Sequence, residues 1–135
     1  MGLFLGLFGI TLVVFFAIDM VWLGWLARKF YKQHIGHLLK KNVNWLAAVI
    51  FYLIHIAGLV FFVIQPAVTN NSFSYALFAG AFFGLVTYAT YDLTNHATVK
   101  GWPLIVTLAD LAWGTFIASA TASITFLISV LFSVA

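Results

Sequence analysis

The chain has 135 residues, of which 64% are hydrophobic and 7% are charged, and its formal net charge is +3. Soluble domains are usually about 45–50% apolar and about 25% charged. So few charged side chains cannot cover a soluble domain of this size, which predicts an integral membrane protein and excludes a disordered chain or a coiled coil. The sequence contains no cysteine, which excludes disulfides, thiol nucleophiles and cysteine-ligated metal sites.

Four long apolar runs predict four transmembrane helices within one domain, residues 1–135. The first run lacks the basic start and the cleavage site of a signal peptide, so we expect it to remain as a helix. The fourth run is much longer than a hydrocarbon core of about 30 Å requires, so it must tilt, kink or emerge. The predicted spans are 3–27, 45–64, 73–95 and 103–133.

Residues that start or stop helices flank these runs. Asn44 and Ser72 directly precede the second and third runs and are predicted N-caps. Pro66 follows the second run, and Pro103 stands at the first helical position of the fourth, where proline is well tolerated. The predicted fold is all-α, with four transmembrane helices.

The positive charges are concentrated on one side of the predicted bundle. All six Lys and Arg residues lie in the connections 28–44 and 96–102, and both termini and the connection 65–72 carry none. The positive-inside rule therefore places the basic connections in the cytoplasm and both termini outside. Because this rule explains the distribution of the cations, no nucleic-acid partner is expected.

The segment between the first two spans has an amphipathic pattern. Tyr31, Ile35, Leu38 and Leu39 recur at helical spacing and predict a short helix lying on the inner leaflet. It is either a topology anchor attracted to anionic lipids or a lid over a headgroup site, with His34 and His37 supplying chemistry. The cations expected to contact the anionic lipids are Arg28, Lys29, Lys32, Lys40 and Lys41.

Every carboxylate of the chain falls inside or at the edge of a predicted span. These residues are Asp19, Asp92 and Asp110, all in the half of the bilayer nearer the basic connections. An ionised Asp at the centre of a membrane helix costs about 2.5–3.5 kcal/mol on the insertion scale, so the three side chains should face the bundle interior. They serve either as a functional site or as polar contacts between helices.

Small residues predict which helices bring two of these acids together. In the third span Gly80, Gly84 and Asp92 lie on one ridge, and in the fourth span Asp110 and Gly114 begin a second ridge. Ridges of small residues let helices approach closely. If these two ridges pack together, the two carboxyls meet at the same depth and cannot both ionise easily, so one is expected to hold a proton.

Polar and aromatic side chains near the acids complete the candidate site. Trp22 is interpreted as an interfacial anchor. Trp113 is interpreted as part of the packed core or of a cavity wall. His55, near the midplane, is either a satisfied core histidine or a proton relay. Asp92 and His96 have the spacing to share a divalent cation, but no metal site and no cofactor is expected. The predicted polar cluster is Asp19, Trp22, Tyr88, Tyr91, Asp92, Asn95, Asp110 and Trp113.

Short motifs along the chain resemble those of a known family. They include Asp19-x-x-Trp22-Leu-Gly24, Gly36-His37-Leu38, Asn44-Trp45, Tyr88-Ala-Thr-Tyr91-Asp92-Leu-Thr-Asn95, Ala97-Thr98, Gly101-Trp102-Pro103 and Asp110-x-x-Trp113-Gly114. Together they resemble the small membrane proteins of domain of unknown function family 2177. The resemblance implies a bacterial inner-membrane protein of four helices and implies no activity.

Three functions remain open at this point. The first is a proton- or cation-linked carrier, or a subunit of one, and it requires a homodimer or a partner because four helices rarely enclose a path. The second is a membrane enzyme acting on a lipid or isoprenoid at the inner leaflet, with one Asp as acid and another as base. The third is an accessory protein whose acids hold helices together.

Overall fold

The computed structural model describes residues 2–39 and 43–132, and this part of the chain is helical throughout apart from short connections. Four of its helices are long and apolar enough to cross a membrane, which confirms the predicted all-α class. The helices are α1 (Gly2–Leu26), α2 (Arg28–Ile35), α3 (Trp45–Thr69), α4 (Phe73–Thr98) and α5 (Leu104–Leu131).

The predicted N-caps of α3 and α4 are confirmed. The Asn44 side chain accepts a hydrogen bond of 3.2 Å from the backbone N–H of Ala47, and the Ser72 hydroxyl accepts one of 3.1 Å from the backbone N–H of Tyr75. Pro103 differs from its prediction, because it has extended backbone (ψ 135°) and precedes the first helical residue. Ser133, the predicted end of the fourth span, lies outside the described residues.

Helix α3 does not stop before Pro66 but continues to Thr69. A proline inside a helix lacks the N–H that would bond to the carbonyl four residues earlier. That carbonyl belongs to Phe62, and it accepts a hydrogen bond of 3.0 Å from the Tyr75 hydroxyl of α4. A π-helical turn over Val60–Ile64 also precedes the proline and changes the local bonding pattern.

The two glycine ridges of α4 and α5 pack against each other, as their sequence spacing predicts. A Cβ atom added at Gly84 would lie 2.0 Å from the carbonyl oxygen of Gly114, and one added at Gly80 would lie 3.1 Å from that of Ala118. Only residues without a side chain allow two backbones to come this close. This contact fixes the depth at which Asp92 and Asp110 stand.

An apolar core fills the half of the bundle away from the basic connections. It is built from fully buried side chains such as Leu7 and Phe15 of α1, Ile64 of α3 and Ile117 of α5. Beside this core, a second pocket of about 410 Å³ lies between α4 and α5, lined by residues that include Leu77, Phe116 and Ser119. We call the opposite half, which carries α2 and Lys100, the basic end.

The amphipathic segment at the basic end is shorter than predicted. Helix α2 ends at Ile35, and the chain tightens into a 3₁₀ turn over Gly36–Leu38. Ile35 is buried, but Leu38 and Leu39 are 43% and 50% exposed, so they do not extend the buried face as their spacing predicted. Lys40 and Lys41, two of the predicted lipid contacts, lie outside the described residues.

Helix α3 packs unequally along its length. Its second half is buried against α1, α4 and α5, whereas its first half exposes Trp45, Leu46 and Ile54 by 70%, 73% and 67%. The first half thus stands away from α4 and α5. The space that it leaves at the basic end holds the candidate site.

Candidate functional site

A cavity of about 610 Å³ lies at the basic end, and each of the five helices contributes to its lining. All three aspartates of the chain line it. This volume falls within the range of about 300–1,000 Å³ that is typical of small-molecule sites. The close glycine contact between α4 and α5 brings Asp92 and Asp110 to the same end of the bundle.

Asp19 is anchored by a tyrosine of another helix. It is 5% exposed on α1, and its Oδ2 accepts a hydrogen bond of 2.5 Å from the Tyr52 hydroxyl of α3. Tyr52 is held from the other side by Phe15, whose ring stands edge-on to it at 5.8 Å between centroids. This carboxyl therefore has a polar partner inside the protein.

Asp110 accepts a hydrogen bond from α2. The Trp22 indole N–H donates to the Tyr31 hydroxyl at 3.2 Å, and that hydroxyl in turn donates to Oδ1 of Asp110. Burial, and then the hydrogen bond to Asp110, raise the pKa of Tyr31 above its ordinary value of 10.0. Tyr31 thus remains a neutral donor at physiological pH and docks α2 over the cavity.

Asp92 differs from the other two acids because it is fully buried and no described residue donates a hydrogen bond to it. Neither of its carboxyl oxygens has a hydrogen-bond partner among the described residues. Asp110 of α5 is the neighbouring carboxyl. Two carboxyls can hydrogen-bond to each other only when one of them carries a proton, since ionised carboxylates are acceptors alone.

Aromatic rings form much of the cavity wall. Trp22 and Trp113 are stacked, with 4.4 Å between ring centroids and 10° between their planes. Tyr91 and Trp102 meet edge to face at 6.1 Å. The ring of Trp22 is half-buried and is held by the stack and by its bond to Tyr31, and its role as an interfacial anchor stays a prediction. Trp113 forms a cavity wall.

The structure brings most of the predicted polar cluster together. Asn95 is the exception: it lies beyond Tyr91 on α4 and does not line the cavity. The members that do line it are Asp19, Trp22, Tyr88, Tyr91, Asp92, Asp110 and Trp113.

His55 lies next to the cavity without lining it. Its ring packs against those of Phe15, Phe51 and Phe83, at 5.2–5.4 Å between centroids. Its Nε2 has no hydrogen-bond partner in the described part of the chain, so it is not the satisfied core histidine that the sequence favoured. A relay role stays a prediction.

The spacing of Asp92 and His96 does not produce a shared metal site. Asp92 is fully buried, whereas His96 is exposed, so the two side chains do not face the same space. Residues 2–39 and 43–132 contain no group of three His, Asp, Glu or Cys side chains placed to hold a metal ion.

Sequence reasoning missed four aromatic residues of the site, which are Tyr31, Phe51, Tyr52 and Trp102. Tyr31 was assigned to the apolar face of an amphipathic helix, and Trp102 to a helix start. Tyr52 could have been found from the sequence, because it is the only tyrosine in the run 45–64. A lone hydroxyl in an apolar span needs a partner, and Asp19 supplies one.

The model of one protein family matches the chain over residues 4–127, and that family is described as predicted membrane protein, domain of unknown function 2177. The chain belongs to this family. The match confirms the resemblance in the sequence motifs and identifies a membrane protein. No curated protein and no solved structure matches the chain. The cavity geometry is therefore the basis for any inference about the function of this family member.

Proposed function

We propose that this family member is a proton- or cation-linked carrier, or a subunit of one, and that its ligand occupies the cavity at the basic end. The observation that carries the proposal is the environment of the Asp92 carboxyl. This carboxyl is fully buried, has no donor among the described residues and lies beside Asp110 in a cavity large enough for a ligand.

The free energy of burial limits Asp92 to two states. An ionised carboxylate without a partner is very unfavourable in an apolar interior, and an intramembrane acid is by default a functional candidate. Asp92 is therefore neutral, with a proton that it can share with Asp110, or it is paired with a bound cation. A site that exchanges these two states couples the binding of a cation to the release of a proton.

Other charged and titratable groups of the cavity bear on this exchange. Asp19 already accepts a bond from Tyr52, and Asp110 from Tyr31, so both are less dependent on a ligand. The charged and titratable residues that line the cavity are Asp19 on α1, Arg28, Tyr31 and Lys32 on α2, Tyr52 on α3, Tyr88, Tyr91 and Asp92 on α4, and Asp110 on α5.

The shape of the bundle supports access from one side. The cavity is at the basic end, which the positive-inside rule assigns to the cytoplasm, and the opposite half is packed around Leu7, Phe15 and Ile117. A complete path across the membrane would need a second copy or a partner protein. The chain alone has the form expected of a carrier that is open toward the cytoplasm.

The experiment is an infrared titration of carboxyl groups in the purified protein in lipid. We expect a protonated carboxyl band near neutral pH that disappears in Asp92→Asn and shifts when a bound cation replaces the proton. Asp19→Asn is the matched control, because Asp19 has a donor. A band that does not respond to pH, to any added cation or to native lipid extract would contradict the proposal and leave the acids as contacts between helices.

A membrane enzyme is the second candidate, and the apolar side of the cavity favours it. Leu23, Ile35 and Phe51 line the cavity where the first half of α3 stands away from the bundle, which fits a lipid or isoprenoid chain. Asp92 and Asp110 would then act as acid and base. An altered lipid profile in a strain that lacks the protein, restored by the wild type and not by Asp92→Asn, would support the enzyme over the carrier.

A further inference from the structure

We propose that the ligand of this cavity is a lipophilic organic ammonium ion, a molecule with one positively charged nitrogen and an apolar body. This inference rests on the proposed function, since it names the cation that the site exchanges for a proton. It is carried by the size of the cavity, by its aromatic wall and by the unpartnered carboxyl of Asp92.

The cavity is too large for an inorganic ion alone. Its volume is about 610 Å³. Sites of this size bind organic molecules, with apolar walls and a small number of polar groups that fix the orientation. The described residues also lack a three-ligand group for a metal ion. An organic cation fits both the volume and the charge.

The wall of the cavity is suited to a positively charged nitrogen. Eight of its eighteen lining residues are aromatic, and four of these are tyrosines. The face of an aromatic ring carries partial negative charge and attracts ammonium groups, and clusters of such rings recognise quaternary ammonium. The stacked Trp22 and Trp113 hold two indoles rigidly at the level of the acids.

The carboxyls supply the counter-charge for the nitrogen. Asp92 belongs to the cavity lining, and both of its oxygens lack a donor in residues 2–39 and 43–132, so an ion that reaches this carboxyl would be its polar partner. Asp110 stands beside it and is held in place by Tyr31. A quaternary nitrogen has no N–H and interacts with carboxylates and rings by charge alone.

The remaining lining residues fit the apolar body of the ligand. Leu23, Ile35, Leu39 and Phe51 come from the side of the cavity formed by α1, α2 and α3. The two basic residues of the lining, Arg28 and Lys32, are exposed and lie outside the membrane spans. Their charges oppose a second positive group near them, which favours a ligand with a single charge.

The experiment compares three probes that share one apolar body. They are (4-phenylbutyl)trimethylammonium, its neutral isostere in which carbon replaces nitrogen, and 5-phenylpentanoate as the anionic analogue. Binding is measured with the full chain in lipid nanodiscs, and partitioning into empty nanodiscs is subtracted. We expect the ammonium probe to bind at least about tenfold more tightly than the other two, as cation–π contacts and a carboxylate together allow.

Two pairs of variants test the site. Trp22→Leu removes a lining ring, and Trp25→Leu removes a ring of the same helix that is 76% exposed and does not line the cavity. We expect the first to weaken binding of the ammonium probe about tenfold and the second to leave it unchanged. Asp92→Asn should weaken binding of the ammonium probe more than Asp19→Asn does. Trp22→Phe retains a ring, so it should bind the probe more tightly than Trp22→Leu.

Each outcome decides between this inference and the function on which it rests. Equal binding of the isostere or of the anion overturns the inference, as does equal loss in the Trp25→Leu control. If no probe binds while the infrared carboxyl band still responds to an inorganic cation, the organic ligand is wrong and the proton- or cation-linked function stands. If the band is also unresponsive, both proposals fail.

Discussion

The indole rings of Trp22 and Trp113 lie face to face, 4.4 Å apart and 10° from parallel. Trp22 follows Asp19 by three residues on α1, and Trp113 follows Asp110 by three residues on α5. The stack therefore joins two helices next to their acids. Because the rings are fixed by each other, they provide a rigid surface in a region where the first half of α3 contributes little packing.

Glycine at position 84 should be essential for the contact between α4 and α5. A Cβ there would lie 2.0 Å from the Gly114 carbonyl oxygen, and a backbone atom cannot give way cheaply. We expect Gly84→Ala to destabilise the protein by about 3 kcal/mol or more, measured as unfolding in detergent by circular dichroism. Gly9→Ala is the control, since a Cβ at Gly9 would meet no atom within 4 Å. Equal stability of the two variants would refute the close contact.

The bond between Tyr52 and Asp19 should be measurable as a coupling energy. Hydrogen bonds between membrane helices contribute about 0.6 kcal/mol on average and reach about 1.7 kcal/mol. Because the bond is 2.5 Å long and Asp19 is 5% exposed, we expect a value near the upper end. A double-mutant cycle of Tyr52→Phe and Asp19→Asn, read by unfolding in detergent, measures it. Additive effects would mean that the bond does not form.

Tyr31 should make the stability of the protein sensitive to alkaline pH. The pKa of Tyr31 is raised above 10.0 in the folded protein, so its contribution is fully present below pH 10 and is lost as the pH rises through the folded value. We expect the wild type to exceed Tyr31→Phe in stability by about 1–2 kcal/mol up to about pH 10, with the difference shrinking above it. Unfolding of both proteins between pH 7 and about pH 12 checks this. A difference that does not change with pH would contradict it.

The effects of substitutions at Tyr75 and Pro66 on the stability of the protein should depend on each other. The Tyr75 hydroxyl bonds to the Phe62 carbonyl, which a residue with an N–H at position 66 would otherwise reach. We expect Tyr75→Phe to cost about 1 kcal/mol in the wild type and much less in a Pro66→Ala background, where the helix supplies its own donor. Thermal unfolding of the four proteins measures the difference. An equal cost in both backgrounds would show that the hydroxyl does not replace the missing N–H.

The orientation predicted by the positive charges can be tested at the two ends of α4. The chain has no cysteine, so a single introduced cysteine is the only thiol. Ser74 and Thr98 are both exposed and stand near opposite ends of this helix. In intact cells a membrane-impermeant maleimide should label Ser74→Cys and should label Thr98→Cys only after lysis. The reverse pattern would place the basic end outside.

The amino-acid sequence by itself determined the membrane class, the four helices, the N-caps and the ridge that joins α4 to α5. These features depend on local composition and on spacing along one helix, which the order of residues specifies directly. The sequence also placed Asp19, Asp92 and Asp110 in the bundle interior, because no other position avoids the cost of an acid facing lipid.

Only the tertiary structure decided which partner each acid has. Tyr52 and Tyr31 reach Asp19 and Asp110 across 33 and 79 residues of sequence, and periodicity along a helix carries no information about such pairs. The same holds for Trp22, whose direction is set by its stack with Trp113 and by a π-helical turn over Trp22–Leu26. The cavity exists because the first half of α3 packs less closely than the second, a result of how whole helices fit together.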